Sequence, residues 1–213
     1  MVEQKKIDES HSSAVYVKSQ GVDPSAMIVK GYDFNKGLDY NAVFKSYIST
    51  GFQATSLGQA IEEVNKMIKY RLSDDPIDEE ETDEYRDPVV RANTRCTIFL
   101  GYTSNMASCG MRDYIRYLCQ HKMIDCIVTT TGGIEEDIMK CMAPCYIGAF
   151  ELDGKTLREK GLNRIGNLIV PNESYALLEA WFLPLVQQCH KEQRENGTIF
   201  TPSKIISRIG EKI

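Results

Sequence analysis

The sequence predicts an α/β protein built on a parallel sheet with helices on both faces. After Arg95, short β-rich apolar runs alternate with amphipathic helical segments, beginning with CTIFLGY (96–102) and DCIVTT (125–130). Strands separated by helices are typical of right-handed crossover units, which build parallel sheets. The 213 residues, 42% of them hydrophobic, suffice for a sizeable core without disulfides or metals. Because the series closes on a helix, we expect an open, incomplete sheet of three or four strands.

The composition narrows the classes of function. A mean hydropathy of −0.32, with no apolar run near the roughly 20 residues of a membrane span, argues against a transmembrane helix. The N-terminus has no apolar stretch typical of a signal peptide. No basic cluster with interleaved aromatic residues points to nucleic acid. Seven cysteines scattered through apolar patterns are typical of a reducing compartment, so we predict a cytoplasmic protein without membrane contact.

The negative charge is concentrated in one segment. Between Asp74 and Asp87 there are nine acids and one base, whereas the rest of the chain has 21 acids and 24 bases. Pro76 and Pro88 also interrupt the chain over residues 73–93, and such a composition is typical of solvated chain. We therefore predict an acidic loop over residues 73–93.

Before that loop, the pattern predicts a flexible arm and two helices. Residues 1–30 are polar with little periodicity, so we expect a flexible N-terminal arm. Asp39 or Asn41 can cap a first helix that runs through Tyr47. Apolar residues at three- and four-residue spacing predict a second helix over Ser56 to Arg71.

After the loop, the elements follow in a regular order. The predicted elements are a strand at 96–102, a helix from 103–105 to 121, a strand at 125–130, a helix at 134–143, a short strand at 146–150, a strand at 166–171, a long helix capped by Asn172 and bent or interrupted at Pro184, and a last helix starting at 201–203. In open α/β sheets, ligands bind at the carboxyl ends of the strands, so the loops after the first two strands are the candidate sites.

The first candidate site is the segment LGYTSNMASCG, residues 100–110. Its Thr, Ser and Asn side chains stand at a strand end and a helix N-terminus. Exposed backbone N–H groups there can hold a phosphate or pyrophosphate, although by itself this segment favours a simple helix N-cap over such a site. The usual dinucleotide fingerprint, GxGxxG, is absent.

The second candidate site is TTTGGIEED, residues 129–137. Gly132 and Gly133 would let a ligand approach the backbone closely. Glu135, Glu136 and Asp137 occupy the first helical turn, where the helix dipole alone stabilises carboxylates. Three successive acids nevertheless point in different directions, so at least one is expected to face the strand-end cleft and bind a cation, an amine or a ribose hydroxyl.

Other polar residues give no catalytic or metal constellation. Cys141 and Cys145 lie one turn apart, but no second pair or histidine completes a zinc set, so no metal is predicted. His121 and His190 are placed near helix C-termini, where capping is the expected role. The nucleophile-elbow pattern GxSxG is absent.

Several strings in this chain resemble the amino-terminal half of eukaryotic deoxyhypusine synthase. These strings are GYDFNKG, TGFQAT, CTIFLGYTSN, SNMASCGMRDYIRYLCQHKMIDCIVTTTGGIEEDIMKCMAP, LNRIGNLIVPNE and TPSKIISRIG. The resemblance runs from Gly31 to the last residue and is interrupted only at the acidic loop. It implies one domain over 31–213 with a Rossmann-like, sirtuin-related fold that assembles as a homotetramer.

The resemblance also implies an activity. The family uses NAD to oxidise spermidine, releases 1,3-diaminopropane, and transfers the butylamine group to one lysine of the hypusine-containing translation initiation factor. The family's NAD contacts fall on Ser104, Asn105, Met106, Ala107, Ser108, Thr130, Thr131, Gly132 and Glu136. Its spermidine-binding acids fall on Glu135 and Glu136. Thr131 departs from the family string TTAGG, where alanine is expected, and its hydroxyl would either bond to the cofactor or crowd it.

One departure concerns the family's carboxyl half, which carries the catalytic lysine and further spermidine and NAD residues. No lysine of this chain matches that role, so no catalytic residue is assigned. We therefore expect the chain to be inactive alone. The alternative is a non-catalytic regulatory subunit that pairs with a full-length deoxyhypusine synthase. The family also suggests that a short helix from the N-terminal arm, around Ser12 to Gln20, covers the active-site entrance.

Overall fold

The computed structural model describes residues 21–213. Most of the predicted N-terminal arm, including the segment around Ser12 to Gln20, lies outside the described residues. The chain divides into two compact units, Met1–Arg95 and Cys96–Ile213. Each unit has its own set of helices, and the strands found within residues 21–213 all lie in the second unit.

The first unit is built on a pair of packed helices, α1 (Tyr40–Thr50) and α2 (Phe52–Lys69). As predicted, Asp39 caps α1, and its carboxylate accepts from two backbone N–H groups of the first turn. A Cβ placed on Gly58 of α2 would lie 2.4 Å from the backbone nitrogen of Ile48, so the two helices meet backbone to backbone.

Helix α2 begins four residues earlier than its apolar spacing predicts. The N–H of Gly51 donates to the Thr55 hydroxyl at 2.9 Å, a local bond that satisfies one free donor at the helix start. The segment TGFQAT contributes no periodic apolar face, and hydrophobic spacing therefore missed this first turn.

Most residues of the acidic segment are exposed, as predicted, but residues 73–93 are not a loop throughout. It contains two short helices, α3 (Asp83–Arg86) and α4 (Pro88–Asn93). Asp87 caps α4, and Pro88 occupies its first turn. The segment folds around Arg91, which is only 4% exposed.

The second unit begins with two strands that pair in parallel, β1 (Phe99–Tyr102) and β2 (Cys126–Thr129). Their pairing and the helices around them confirm an α/β fold with a parallel sheet flanked by helices. The intervening helical stretch was predicted as one helix to His121. It is two helices, α5 (Ser104–Ser108) and α6 (Met111–Gln120), because the chain leaves the helical conformation at Cys109.

The second strand leads directly into α7 (Thr131–Met142). This helix starts three residues before the predicted start at Ile134, so Gly132 and Gly133 belong to its first turn. It packs against α5 and against the long helix α9 (Asn172–Asn196).

The remaining strands form an antiparallel sheet, which corrects the expectation that they continue a parallel series. The strands are β3 (Tyr146–Ile147), β4 (Leu162–Ile165) and β5 (Leu168–Pro171), in the order β3–β5–β4. Only Gly166 and Asn167 join β4 to β5, and Gly166 has a φ of 60°. A two-residue turn joins antiparallel strands, whereas a parallel pair needs a crossover of a dozen or more residues.

The other helices complete the second unit. Helix α8 (Gly154–Glu159), which the sequence pattern missed, is capped by Asp153. Helix α9 contains Pro184 and continues through it as one helix. Helix α10 (Pro202–Gly210) starts where predicted and is capped by Thr201. The buried hydrophobic residues of this unit are Ala107, Ile138, Met139, Ile169, Val170, Cys189 and Ile209. Among the described helices, none combines the length and the apolar character that crossing a bilayer requires.

Candidate functional site

The candidate site lies at the carboxyl ends of β1 and β2. Tyr102 and Thr129 are the last residues of these strands and stand opposite each other in the ladder. The Thr129 hydroxyl donates to the Tyr102 carbonyl at 2.9 Å, which fixes the two strand ends together. Each strand is followed by a single threonine and then by a helix, α5 or α7. The two predicted ligand-binding segments are therefore neighbours.

The glycines of the second segment serve internal packing. A Cβ on Gly133 would lie 2.2 Å from the Thr129 hydroxyl oxygen, and one on Gly132 would lie 3.0 Å from the Cβ of Ser104. The space beside each glycine is therefore filled by the protein's own atoms. The predicted close approach of a ligand to Gly133 is not available, since this residue is buried. Gly132 allows the starts of α5 and α7 to come into contact.

The residues assigned to NAD by resemblance differ in how exposed they are. Ala107 and Ser108 are each 2% exposed, and Asn105 is exposed. Ser104, Met106 and Gly132 are half-buried, whereas Thr130 and Thr131 are exposed. The structure brings all of these residues to one edge of the parallel strands.

The three successive acids of α7 diverge, as the helical spacing predicts. Glu136 is 8% exposed and points into the protein. Asp137 accepts a hydrogen bond from the Arg112 guanidinium of α6. Glu135 lines a groove between α7 and α9. Each acid therefore has its own environment, although the three are adjacent in sequence.

Glu136 has the most unusual environment of the three acids. Burial raises the pKa of its carboxyl group, and the neighbouring Glu135 raises it further, whereas the Ser108 hydroxyl and the Lys140 ammonium lower it. Its Oε2 atom has no hydrogen-bond partner within residues 21–213. A buried carboxylate oxygen without a partner is costly, and a hydroxyl or ammonium donor of a ligand would satisfy it.

Sequence reasoning missed two residues beside Glu136. Lys140 donates to the Ser108 carbonyl at 2.7 Å and so ties α7 to the end of α5. Its position four residues after Glu136 on the same helix was a signal that could have found it. Tyr175 of α9 was not singled out at all. Burial raises the pKa of its phenol, and Glu136 and Glu135 raise it further, so this tyrosine lies close to both acids.

Among residues 21–213, the cysteines and histidines do not gather into a metal-binding group. Within the part of the chain that the structure describes, no group of three or more His, Cys, Asp or Glu side chains could hold a metal ion. Cys141 instead accepts from Arg112 at 2.9 Å, and His121 follows directly after the last residue of α6.

The fold and these two junctions define the class of protein: an α/β protein with a parallel strand pair, flanking helices and a polar edge built from two helix starts. A family model for deoxyhypusine synthase matches residues 42–213. The chain is 49% identical over 212 residues to a deoxyhypusine synthase of Senecio vernalis, covering 100% of this chain and 57% of that protein. This chain belongs to the deoxyhypusine synthase family.

Two further comparisons add to this assignment. The chain is 46% identical over 209 residues to homospermidine synthase 2 of Senecio vernalis, covering 98% of this chain and 56% of that protein. A crystal structure of a protein assigned as a deoxyhypusine synthase from Entamoeba histolytica matches with a TM-score of 0.56 and 32% identity, covering 86% of this chain and 56% of that one. The chain spans about half the length of the curated relatives it matches.

Proposed function

We propose that this chain supplies part of the NAD site and part of the spermidine site of a cytoplasmic deoxyhypusine synthase. The complete enzyme would transfer the butylamine group of spermidine to one lysine of the hypusine-containing translation initiation factor and release 1,3-diaminopropane. The observation that carries this proposal is Glu136, a buried acid with an unpartnered oxygen at the edge where two parallel strands end. Membership of the family supports the chemistry.

The residues at this edge fit a dinucleotide in part. Helix α7 has twelve residues, and its N–H groups at Thr131 and Gly132 favour an anionic group such as a phosphate. The free Oε2 of Glu136 suits a ribose hydroxyl. Ala107 and Ser108 are too buried to offer their side chains, so they would act through α5 and its packing on α7. NAD, when bound, would accept a hydride from spermidine.

The two acids assigned to spermidine would bind its ammonium groups. Glu135 lies in the groove beside α9, and Glu136 lies behind it in the protein. A carboxylate paired with an ammonium in a partly desolvated place contributes roughly 1.5–3 kcal/mol per hydrogen bond. Neutralising either acid should therefore weaken the binding of the polyamine.

A second candidate function is a regulatory subunit that binds a full-length deoxyhypusine synthase. In both functions, a partner subunit would be needed for turnover, in a homotetramer or a hetero-oligomer.

Complementation tests the first proposal. A full-length family subunit whose residues equivalent to Glu135 and Glu136 are both changed to glutamine would be mixed with this chain, labelled spermidine, NAD and the translation factor. We expect no labelling of the factor by either protein alone and labelling by the mixture. This chain carrying Glu136→Gln is the matched control and should not restore labelling.

The outcomes separate the two functions. Transfer by this chain alone would overturn the proposal that it needs a partner. A mixture that stays inactive, together with a chain that changes the rate of an unmodified full-length enzyme, would support the regulatory subunit. Unchanged NAD and spermidine affinities on Glu136→Gln would show that the assignment of this residue is wrong.

A further inference from the structure

One lysine joins the two helices of the candidate site. Lys140 of α7 is half-buried, and its ammonium donates to the carbonyl oxygens of Ser108 at 2.7 Å and of Cys109 at 3.5 Å. Both carbonyl groups lie where α5 ends, and the last carbonyls of a helix have no partner within it. These bonds hold α5 against α7, and they also fix the position of a side chain that is otherwise flexible.

The fixed ammonium lies on the same side of α7 as the buried acid of the site. Lys140 follows Glu136 by four residues, and side chains at that spacing are neighbours on one face of a helix. Ser108, to which Lys140 is bound, is 2% exposed, and Glu136 is 8% exposed. The positive charge is therefore held next to a carboxyl group that has lost most of its contact with water.

Several titratable groups surround Glu136, and they belong to α7, to the loop after it and to α9. These groups are Glu135, Lys140, Cys145 and Tyr175. Burial raises the pKa of Glu136, and the negative charge of Glu135 raises it further, whereas the Ser108 hydroxyl and the charge of Lys140 lower it. Among these groups of the described chain, Lys140 is the one cation, so it alone compensates a buried negative charge with a positive one.

The ionisation of Glu136 decides which ligand groups it can bind. An ionised carboxylate accepts hydrogen bonds on both oxygens, whereas a protonated carboxyl group donates through one of them. The Oε2 atom of Glu136 has no partner among residues 21–213. An ammonium group has only donors, and a hydroxyl that donates to this atom likewise needs it to be an acceptor, so both favour the ionised form.

We propose that Lys140 is a positioning residue of the candidate site: bound to the end of α5, it keeps Glu136 ionised and able to accept a hydrogen bond from a ligand. This inference rests on the proposed function, because the ligands that need the ionised acid are the ones named there. Lys140 acts through Glu136 and through the packing of α5 on α7, without contacting the ligand itself.

A double-mutant cycle followed over pH tests this role without any ligand. The four proteins are the unmodified chain, Lys140→Met, Glu136→Gln and the double variant, each unfolded in urea from pH 4 to pH 8. Methionine is an unbranched side chain without charge or N–H donors, so Lys140→Met also loses the bonds to α5. The comparison of Glu136→Gln with the double variant measures that structural loss alone, because neither protein has a charge at position 136.

The cycle has a definite expected result. At pH 8, Lys140→Met should raise the unfolding equilibrium constant about tenfold more in the chain with Glu136 than in Glu136→Gln, as nearby opposite charges at a protein surface allow. The difference should shrink toward pH 4, where Glu136 is mostly protonated in the folded and unfolded states. Lys140→Arg, which keeps the positive charge, should retain the pH dependence of the unmodified chain.

A loss that is the same with and without the charge of Glu136, at every pH, would overturn the proposal. A lysine that served only to tie α7 to α5 would give that result. The proposal would also be wrong if Lys140→Arg behaved as Lys140→Met does, because the charge would then have no effect of its own.

NAD binding, measured by equilibrium dialysis at pH 7, separates this inference from the proposed function. Lys140→Met should weaken NAD binding about fivefold, the effect of losing part of one charge-assisted hydrogen bond. Lys155→Met is the control and should bind NAD as the unmodified chain does, because it removes the same charge from an exposed position on α8.

The two measurements fail in different ways. Coupling of Lys140 to Glu136 without any effect of Glu136→Gln on NAD affinity would support the role of Lys140 and contradict the proposed function at Glu136. Conversely, a loss of NAD affinity in Glu136→Gln without coupling would support the proposed function and overturn the role of Lys140.

Discussion

Two acidic regions of this molecule differ in how their charges are satisfied. The segment from Asp74 to Asp87 carries nine acids, and α7 carries three in succession. In the first region, Arg91 is buried and donates to Glu81 at 2.6 Å, as well as to the carbonyl oxygens of Leu72 and Asp75 at 2.8 Å each. In the second region, Glu136 is buried and its Oε2 has no partner among the described residues.

The difference shows that the number of acids in a segment does not indicate a ligand site. The acidic segment is larger, but its buried charge is a paired cation, which stabilises the segment once it is folded. Helix α7 is smaller and leaves one buried oxygen unsatisfied. An unsatisfied buried group lowers stability, and it is kept most readily where a ligand satisfies it.

The largest effect on stability is expected from a substitution that disrupts the acidic segment. Arg91→Met removes one partner of a buried ion pair and leaves Glu81 and several carbonyl groups without their donor, so we expect a loss of about 3–5 kcal/mol in the free energy of unfolding. Urea denaturation followed by circular dichroism measures it. Arg86→Met is the control, because Arg86 is exposed and also donates to carbonyl groups of this segment. A loss no larger than that of the control would contradict the role of Arg91.

The second largest effect is an expected increase in stability, from a substitution of Glu136. Glu136→Gln should raise the free energy of unfolding by about 1–2 kcal/mol above pH 7, because the variant no longer buries an ionised carboxylate. Burial raises the pKa of Glu136 in the folded state above its value in the unfolded state. The unmodified protein therefore loses stability as the pH rises from the unfolded-state pKa through the folded-state pKa. The gain should therefore shrink as the pH falls toward 4, where the carboxyl group is mostly protonated in both states.

Unfolding measured from pH 4 to pH 8 checks this effect. Glu173→Gln on α9 controls for the loss of one negative charge. A gain for Glu136→Gln that is the same at every pH would show that burial of the charge is not its cause.

A smaller effect is expected at the neighbouring acid. Asp137 is half-exposed and paired with Arg112, so Asp137→Asn should cost no more than about 1 kcal/mol. The cost should shrink in 1 M salt, since an exposed pair is screened. A double-mutant cycle with Arg112→Gln isolates the pair energy. A coupling of several kcal/mol would show that this ion pair is as strong as the buried pair of Arg91 and not an ordinary surface pair.

The smallest effect is expected at the exposed acids of the first region. Changing Glu79 and Glu80 together to glutamine should alter the free energy of unfolding by less than about 0.5 kcal/mol, because both side chains are exposed. NAD and spermidine affinity should stay the same. A loss of ligand affinity in this double variant would show that the acidic segment contributes to binding.

The parts of the fold that follow from local chemistry were predictable. Asp39 and Thr201 accept from the first-turn N–H groups of α1 and α10, and residues of these types just before an apolar periodic segment are strong start signals. The parallel pairing of β1 and β2 followed from two apolar strands separated by helical chain. The divergence of Glu135, Glu136 and Asp137 followed from 3.6 residues per turn.

The errors arose where distant residues decide the structure. Residues 73–93 were predicted to be a loop because amino-acid composition does not reveal that Arg91 is buried among the carbonyl groups of this segment. The sheet of β3, β4 and β5 was expected to be parallel because β4 itself was not recognised, and with it the two-residue turn at Gly166. In the site, Tyr175 could not be assigned to the acids of α7, because it belongs to a helix thirty-odd residues further along the chain.

The sequence by itself determined the α/β class, the family and the two strand-end segments, since these depend on local spacing and on characteristic strings of residues. The tertiary structure alone decided which acid is buried, which is paired and which faces a groove. The physical reason is that the state of a charged group is set by its desolvation and by the partners around it, and both are supplied by residues that are distant in sequence.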